Sequence, residues 1–350
     1  MKVAAVTKIG KLNDKDPLKR GEVDLIDIPE EEMGEEDVKI RVAYCAICGS
    51  DPHVAEGAFS NNVPQTLGHE ISGIVEAVGS KVNKKGIKVG DRVAGNFLHF
   101  CGSCYYCQNG QQQFCQHAGT RKSPGMAEYV IWHESQVFKL PESVSLRQGC
   151  MLEPLSVAVR AADNVNPKVG NRIAISGGGP IGLLILQVLN MYGATSLTLI
   201  EPIENRRDLA ISFGAKYVID PINENVIEKS MELTNGLGFD VVVDVSGSPA
   251  AVVNLPQITA KGGTLLYGAM YPKDYEMPLN LFEYCYHNDL TIKGLFLSPY
   301  TFPRAVQLLE RINLEPFIAK DYALDDIKEA FEMQMKGEYP KVLIRCNDLD

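Results

Sequence analysis

Residues 172–182 read RIAISGGGPIG. A short apolar run ends in glycines, and a segment able to form a helix follows at once. Gly177, Gly179 and Gly182 stand in G-x-G-x-x-G spacing directly after the strand expected over Arg172–Ser176. That spacing supplies a tight turn, a point where backbone can approach a pyrophosphate, and close packing of helix on strand. Pro180 suits the first helical turn, because it lacks an N–H that would be unpaired there. Phosphate oxygens would rest on the free N–H groups of the helix N-terminus. Flexible loops also use glycine, so the pattern needs context. Glu201 supplies it, 19 residues beyond Gly182 at the end of the next expected strand. A carboxylate there can accept both ribose hydroxyls of an adenosine and would repel a 2′-phosphate. The expectation is NAD rather than NADP, with Arg206 and Arg207 keeping a phosphate partner within reach.

Around this turn, strands alternate with helices. Ser196–Glu201, Asp240–Val245 and Thr264–Tyr267 read as strands, and Pro180–Tyr192 and Glu204–Phe213 as helices. Such alternation predicts an α/β domain, a doubly wound parallel sheet, over residues 158–292. The first 157 residues differ. They carry short alternating runs such as Val38–Val42 and Gly73–Val78, punctuated by Gly and Pro, and read as mostly β. A helix near Pro303–Arg311 and a strand at Lys341–Arg345 close the chain. Residues 293–350 are expected to pack back on the first domain, making the parallel-sheet domain an insertion and the cleft between the two a natural substrate site.

Composition limits the possibilities. The chain has 350 residues, with 34 Lys plus Arg against 44 Asp plus Glu and a formal net charge of -10. That balance argues against nucleic acid or an acidic membrane surface as partner. No apolar run approaches the roughly 20 residues of a membrane-spanning helix, and Met1–Leu18 lacks an apolar stretch fit for export. A soluble cytoplasmic protein is expected.

Cysteines carry the next signal. Cys101, Cys104, Cys107 and Cys115 form a C-x2-C-x2-C-x7-C knot. Four thiolates suit a closed tetrahedral zinc that holds a loop in shape, and a reducing compartment disfavours the disulfide alternative. A nucleic-acid-binding zinc ribbon would need a basic stripe that the sequence lacks. A second set mixes ligand types: Cys48, His69 and Glu70. Sulfur, imidazole and carboxylate together leave room for a reactive position on the metal. Glu70 would either ligate or steer. Asp51 would accept a hydrogen bond from the far nitrogen of His69. Glu153 lies in the apolar run Leu152–Leu155, where an unpaired carboxylate is costly and a nearby metal would explain it. Ser50 can take a proton from a bound alcohol, and His53 can pass it to water. Cys45, Cys150, Cys285 and Cys346 remain as reduced thiols.

With these residues assembled, the chain resembles a known family. Gly68–Val82 reads G-H-E-x2-G-x5-G-x2-V, through Gly73, Gly79 and Val82, and is similar to the signature of zinc-dependent alcohol dehydrogenases of the medium-chain dehydrogenase/reductase superfamily. Val89–Val93, the knot and the glycine turn follow in that family's order. The resemblance covers essentially the whole chain. It implies a GroES-like catalytic domain, a Rossmann domain, two zinc ions per chain (one catalytic, one structural), NAD, and a homodimer or homotetramer. Glu153–Val157 resembles the segment of sorbitol and related polyol dehydrogenases, with threonine and galactitol-1-phosphate dehydrogenases as similar relatives. By that match Cys48, His69 and Glu70 would be the metal ligands, and Glu153 would bind directly or through water. Ile181, Glu201 and Arg206 fall where sorbitol dehydrogenase-like enzymes contact NAD. One position departs: Leu297 stands where those enzymes carry an arginine that meets the polyol.

The expected reaction is hydride transfer between a secondary alcohol or its ketone and NAD(H), with zinc as Lewis acid. A sugar-phosphate or polyol substrate, a bulky apolar alcohol such as a hydroxysteroid, and a non-catalytic NAD-binding zinc protein are the alternatives. A phosphorylated substrate needs a cationic pocket, for which Arg121, Lys122 and Lys293 are candidates.

Overall fold

Alternating strands and helices become six parallel strands in the computed structural model, which describes residues 1–119 and 124–349. Two compact units emerge, one formed by Met1–Glu153 with Phe302–Asp350 and the other by Pro154–Thr301. Arg121 and Lys122 lie outside the described residues.

In the second unit the strand order is Tyr217–Ile219, Ser196–Ile200, Arg172–Ser176, Phe239–Asp244, Thr259–Tyr267, Thr291–Gly294. Every neighbouring pair is parallel. Numbered within the unit this is 3-2-1-4-5-6, the doubly wound Rossmann order, whose direction reverses between the first and fourth strands. The expected α/β class therefore holds. Strands buried on both faces need continuous apolar runs, and Ile173, Ala174, Ile175, Leu197, Leu199, Val242 and Val243 supply them. The helix Pro180–Asn190 is almost wholly buried from Gly182 to Leu189. Its sequence is apolar on every face, as an internal helix requires.

The first unit is built on strands. Its main sheet runs Lys320–Ala323, Val342–Arg345, Asp37–Ala46, Glu70–Val78, Arg92–Gly95, Val137–Lys139, with Tyr129–His133 pairing Asp37 to Arg41, the first half of Asp37–Ala46. The long strand Asp37–Ala46 is the axis, antiparallel to Glu70–Val78 on one side and to Val342–Arg345 on the other. Ala46 faces both Glu70 and Leu343 in this register. Three strand ends therefore converge on the residues that follow Ala46. The core beneath packs Val38, Ile40, Val42, Ile71, Val93, Trp132 and Phe331. A smaller sheet of Glu22–Asp27, Lys2–Lys8 and Gln65–Thr66, not anticipated from the sequence, flanks it. Among the described residues, no helix is long and apolar enough to cross a membrane.

The glycine turn shows why its spacing is strict. A Cβ on Gly182 would sit 1.9 Å from the Gly177 carbonyl oxygen, and Gly177 itself has φ +103° against the Ser246 backbone. A Cβ on Gly179 would meet nothing within 4 Å. Gly182→Ala is expected to lower the melting temperature by about 5 °C or more, whereas Gly179→Ala leaves it nearly unchanged. Calorimetry on the two variants distinguishes them, and equal melting temperatures would contradict the close approach.

Candidate active site and metal centres

The strand ends described above set the inner site. Cys48 follows Asp37–Ala46 by two residues, while His69 and Glu70 stand at the start of Glu70–Val78. Their ligand atoms lie within 4.8 Å of one another. The short helix Ser50–Ala55 begins immediately after Cys48 and Gly49. Asp51, on its first turn, accepts the Cys48 N–H at 2.8 Å and fixes the loop that carries the sulfur. His69 Nδ1 stands 3.9 Å from Asp51, beyond hydrogen-bond reach, so this carboxylate acts on the ring through charge. Phe97 packs on the other side, its ring centroid 4.8 Å from that of His69.

Glu70 is fully buried and has a partner that sequence reading missed. Both of its carboxylate oxygens lie 2.5 Å from Nζ of Lys341, which also donates to the Ile47 carbonyl at 3.1 Å. Lys341 is 2% exposed. The nearest sequence signal is a lysine leading the apolar strand Val342–Arg345, a pattern equally common at exposed strand ends. Glu153, near the start of the helix Leu152–Val165, lies outside the Cys48–His69–Glu70 group but shares its electrostatic field. Its carboxyl is pushed up to about 7, chiefly by burial. Burial likewise raises Asp51. For His69, burial opposes the charged ring, but Cys48, Asp51 and Glu153 outweigh it and hold the imidazole well above its usual range. Cys48, Asp51, Glu70 and Glu153 are thus four acidic groups against two basic ones. Such an excess of acidic over basic groups, with mixed sulfur, nitrogen and oxygen donors, fits a divalent cation.

Ser50 and His53 sit one turn apart on the helix Ser50–Ala55, on the same face. His53 is half-exposed, and its Nδ1 lies 3.4 Å from Glu56.

The cysteine knot closes as its spacing predicts. All four sulfurs lie within 4.8 Å of one another, with Cys101–Cys115 at 3.6 Å and Cys101–Cys107 at 4.0 Å. Thiolates at about 2.3 Å from zinc in a tetrahedron stand about 3.8 Å apart, so the arrangement matches that ion. Backbone N–H groups of Ser103 and Cys104 pull the Cys101 thiol down to about 5. Burial and the neighbouring thiols push Cys107 up to about 12. Without a cation the knot cannot ionise throughout, and a metal would relieve that repulsion.

In the second unit, Gly179 begins the helix Pro180–Asn190 without a side-chain cap, leaving its N–H groups to a ligand. Pro180 and Ile181 are half-buried beside it. Glu201 is buried, and its two oxygens accept the N–H groups of Gly178 at 2.6 Å and Ile203 at 3.0 Å. A carboxylate offers about four acceptor sites, so room for ribose hydroxyls remains. Arg207 is tied to the Glu201 and Pro202 carbonyls and to Asp220, while Arg206 is half-buried on the helix Glu204–Ser212. Lys293 is exposed and donates to the Asn164 carbonyl at 2.8 Å.

The fold and both metal groups define a two-unit oxidoreductase, and comparison with known proteins agrees. The alcohol dehydrogenase GroES-like domain family matches residues 34–142, and the zinc-binding dehydrogenase family matches residues 180–311. D-arabitol-phosphate dehydrogenase of Enterococcus avium is 36% identical over 92% of this chain and 93% of its own length. L-threonine 3-dehydrogenase of Pyrococcus abyssi is 35% identical over 91% and 93%. A crystal structure from Sinorhizobium meliloti, described as a zinc-binding dehydrogenase bound to NADP, superposes with a TM-score of 0.87 at 29% identity, covering 98% of this chain and 99% of that one. The chain belongs to the zinc-dependent alcohol dehydrogenase family. It is an oxidoreductase using zinc and a nicotinamide dinucleotide.

The raised Glu153 carboxyl has a consequence for stability. In metal-free protein the folded state keeps this proton up to about pH 7, while the unfolded chain releases it near the ordinary value of 4.5. The folded state then binds more protons across that window, so stability falls as pH rises from 4.5 to 7. Denaturant melts of the metal-free protein are expected to show a decline that Glu153→Gln flattens; an unchanged slope in the variant would contradict the assignment.

Proposed function

We propose that this chain oxidises a secondary alcohol reversibly to a ketone with NAD as hydride acceptor, and that its substrate is a small polyol or polyol phosphate. The observation that carries the reaction is the asymmetric Cys48–His69–Glu70 group, in which Glu70 is fully buried and held by Lys341 and Glu153 shares the electrostatic field. Sequence similarity to D-arabitol-phosphate dehydrogenase over nearly the whole chain supports the substrate class. NAD rather than NADP is favoured by Glu201, which would repel a 2′-phosphate, and by Arg207, whose guanidinium is already engaged.

Held by these residues, zinc would supply polarisation of the substrate oxygen and the dinucleotide a hydride acceptor. Around that chemistry the chain holds and moves charge. Cys48, His69 and Glu70 are the proposed donors, with Glu153 adjacent. Asp51 fixes the Cys48 loop and biases His69 by its charge. Lys341 holds the Glu70 carboxylate in register through both of its oxygens. Ser50, two residues from Cys48, receives the hydroxyl proton at Oγ. His53 passes it outward, with Glu56 steadying the ring. Cys101, Cys104, Cys107 and Cys115 hold the structural ion and contribute folding energy. Thiols that must stay reduced to bind metal favour the cytoplasm.

We further propose a homo-oligomer assembled through the second unit. Among the described residues the strand Thr291–Gly294 pairs only with Thr259–Tyr267, so its other edge is open there. Leu281, Phe282 and Tyr286 nearby in sequence are 64%, 68% and 80% exposed. An open strand edge and exposed aromatic side chains are surfaces that a second copy can cover about a two-fold axis.

NADH formation from zinc-loaded protein over polyols, polyol phosphates and threonine tests the reading. Turnover is expected with a polyol or its phosphate, at a lower KM for NAD than for NADP. Cys48→Ser and His69→Ala should each reduce kcat by about a thousandfold or more with the melting temperature preserved. Full turnover by either variant, or none by wild type on the whole panel, would overturn it. For the assembly, light scattering should show a multimer that Phe282→Glu with Tyr286→Glu dissociates; a monomeric wild type would exclude it.

A further inference from the structure

Asp244 is a fully buried carboxylate that the reaction above does not use. It ends the strand Phe239–Asp244 and faces Ser176 across the point where the strand order reverses. Ligands of doubly wound sheets bind in the crevice outside the carboxyl ends of the strands at that point. Asp244 lies at its floor, and its two oxygens serve two different loops. Oδ1 accepts the Ser246 hydroxyl at 2.7 Å, and Oδ2 accepts the Tyr271 hydroxyl at 2.6 Å.

Each loop has a distinct task. The Ser246 backbone packs so closely on the glycine turn that a Cβ on Gly177 would lie 2.8 Å from its Cα and N. Ser246 Oγ also accepts the Ser248 N–H at 3.1 Å, which fixes the turn containing Gly247 at φ +65°. Tyr271 belongs to the segment leaving the neighbouring strand Thr259–Tyr267. The two loops meet, since a Cβ on Gly247 would come within 2.9 Å of the Met270 carbonyl oxygen. Tyr267 packs edge-on against Tyr271, with ring centroids 6.3 Å apart. Burial, and then Asp244, push the Tyr271 hydroxyl pKa up, so it remains a donor.

The direction of a bound dinucleotide follows from this geometry. Glu201 takes the adenosine ribose on the side of the strand Ser196–Ile200, and the glycine turn takes the pyrophosphate. The other half must then extend across the reversal point, over the ends of the strands Phe239–Asp244 and Thr259–Tyr267. We propose that Tyr271, acting through Asp244, is a positioning residue for the nicotinamide half of the dinucleotide, and rests on the cofactor reading above. Asp244 couples the bed of the pyrophosphate to the bed of the nicotinamide. The hydroxyl of Tyr271 can be removed on its own, because its ring can stay packed when the oxygen is lost.

Binding of two ligands to Tyr271→Phe separates this role from a purely structural one. ADP-ribose carries the adenosine and pyrophosphate but no nicotinamide, whereas NADH carries all three. Tyr271→Phe is expected to weaken NADH about tenfold and ADP-ribose less than about twofold, read by calorimetry. It should also raise the KM for NAD more than it lowers kcat. Ser246→Ala, which breaks the other contact to Asp244, should shift the balance toward loss of both ligands, because it loosens the floor of the glycine turn. Equal weakening of NADH and ADP-ribose by Tyr271→Phe, or no weakening of either, would overturn the proposal while leaving the cofactor reading intact. A wild-type protein that binds neither ligand would overturn both.

Discussion

A lysine and a glutamate buried together hold the inner metal group in register. Lys341 directly precedes the strand Val342–Arg345 and Glu70 begins Glu70–Val78; these strands flank Asp37–Ala46 on opposite sides, and the two side chains meet beyond its end, at Ile47. Two charges taken out of water repay their desolvation only when geometry is good and remaining hydrogen bonds are met. Here both carboxylate oxygens and a backbone carbonyl surround the ammonium. Losing either partner alone would strand a buried charge at a cost of about 3–5 kcal/mol. An apolar pair could fill the same volume, so packing does not account for the choice. Charge does: Cys48, Asp51 and Glu153 crowd the same pocket, and Lys341 offsets part of their repulsion before a divalent cation arrives.

The second unit uses buried carboxylates in a related way, with hydroxyl and N–H donors in place of an ammonium. Glu201 gathers the N–H groups of Gly178 and Ile203, and Asp244 gathers Ser246 and Tyr271. Both acids close strands of the same sheet, at or just past their carboxyl ends. In a parallel sheet those ends share one rim, and short loops leaving it need acceptors for their free donors. An acid at the rim meets that need with two acceptor oxygens.

Much of this was legible before any coordinates. The glycine turn, the four-cysteine knot and the Gly68–His69–Glu70 run each lie within a few residues of chain, where local backbone geometry fixes their meaning. The strands Arg172–Ser176 and Ser196–Ile200 emerged nearly as read, because sheets covered on both faces demand unbroken apolar runs. Lys341 was not legible as a partner, since 271 residues separate it from Glu70. Tyr271 gave no signal either; an aromatic residue in a loop has many ordinary reasons to be there. The N-terminal pairing of Lys2–Lys8 with Glu22–Asp27 is not legible as a hairpin because residues 9–21 separate the strands, far beyond a tight turn.

The sequence alone determined which donor types stand together: four thiols in one group, a mixed set in another, and a glycine turn with an acid at the end of the next strand. Those assignments follow from short spacings, over which covalent connectivity limits where side chains can go. Tertiary structure alone decided which charges face each other. Lys341 meets Glu70, and Tyr271 meets Asp244, only because antiparallel and parallel registers bring distant strand ends to one rim. Coulomb and hydrogen-bond energies depend on separations of a few ångströms, and distance along the chain does not report them.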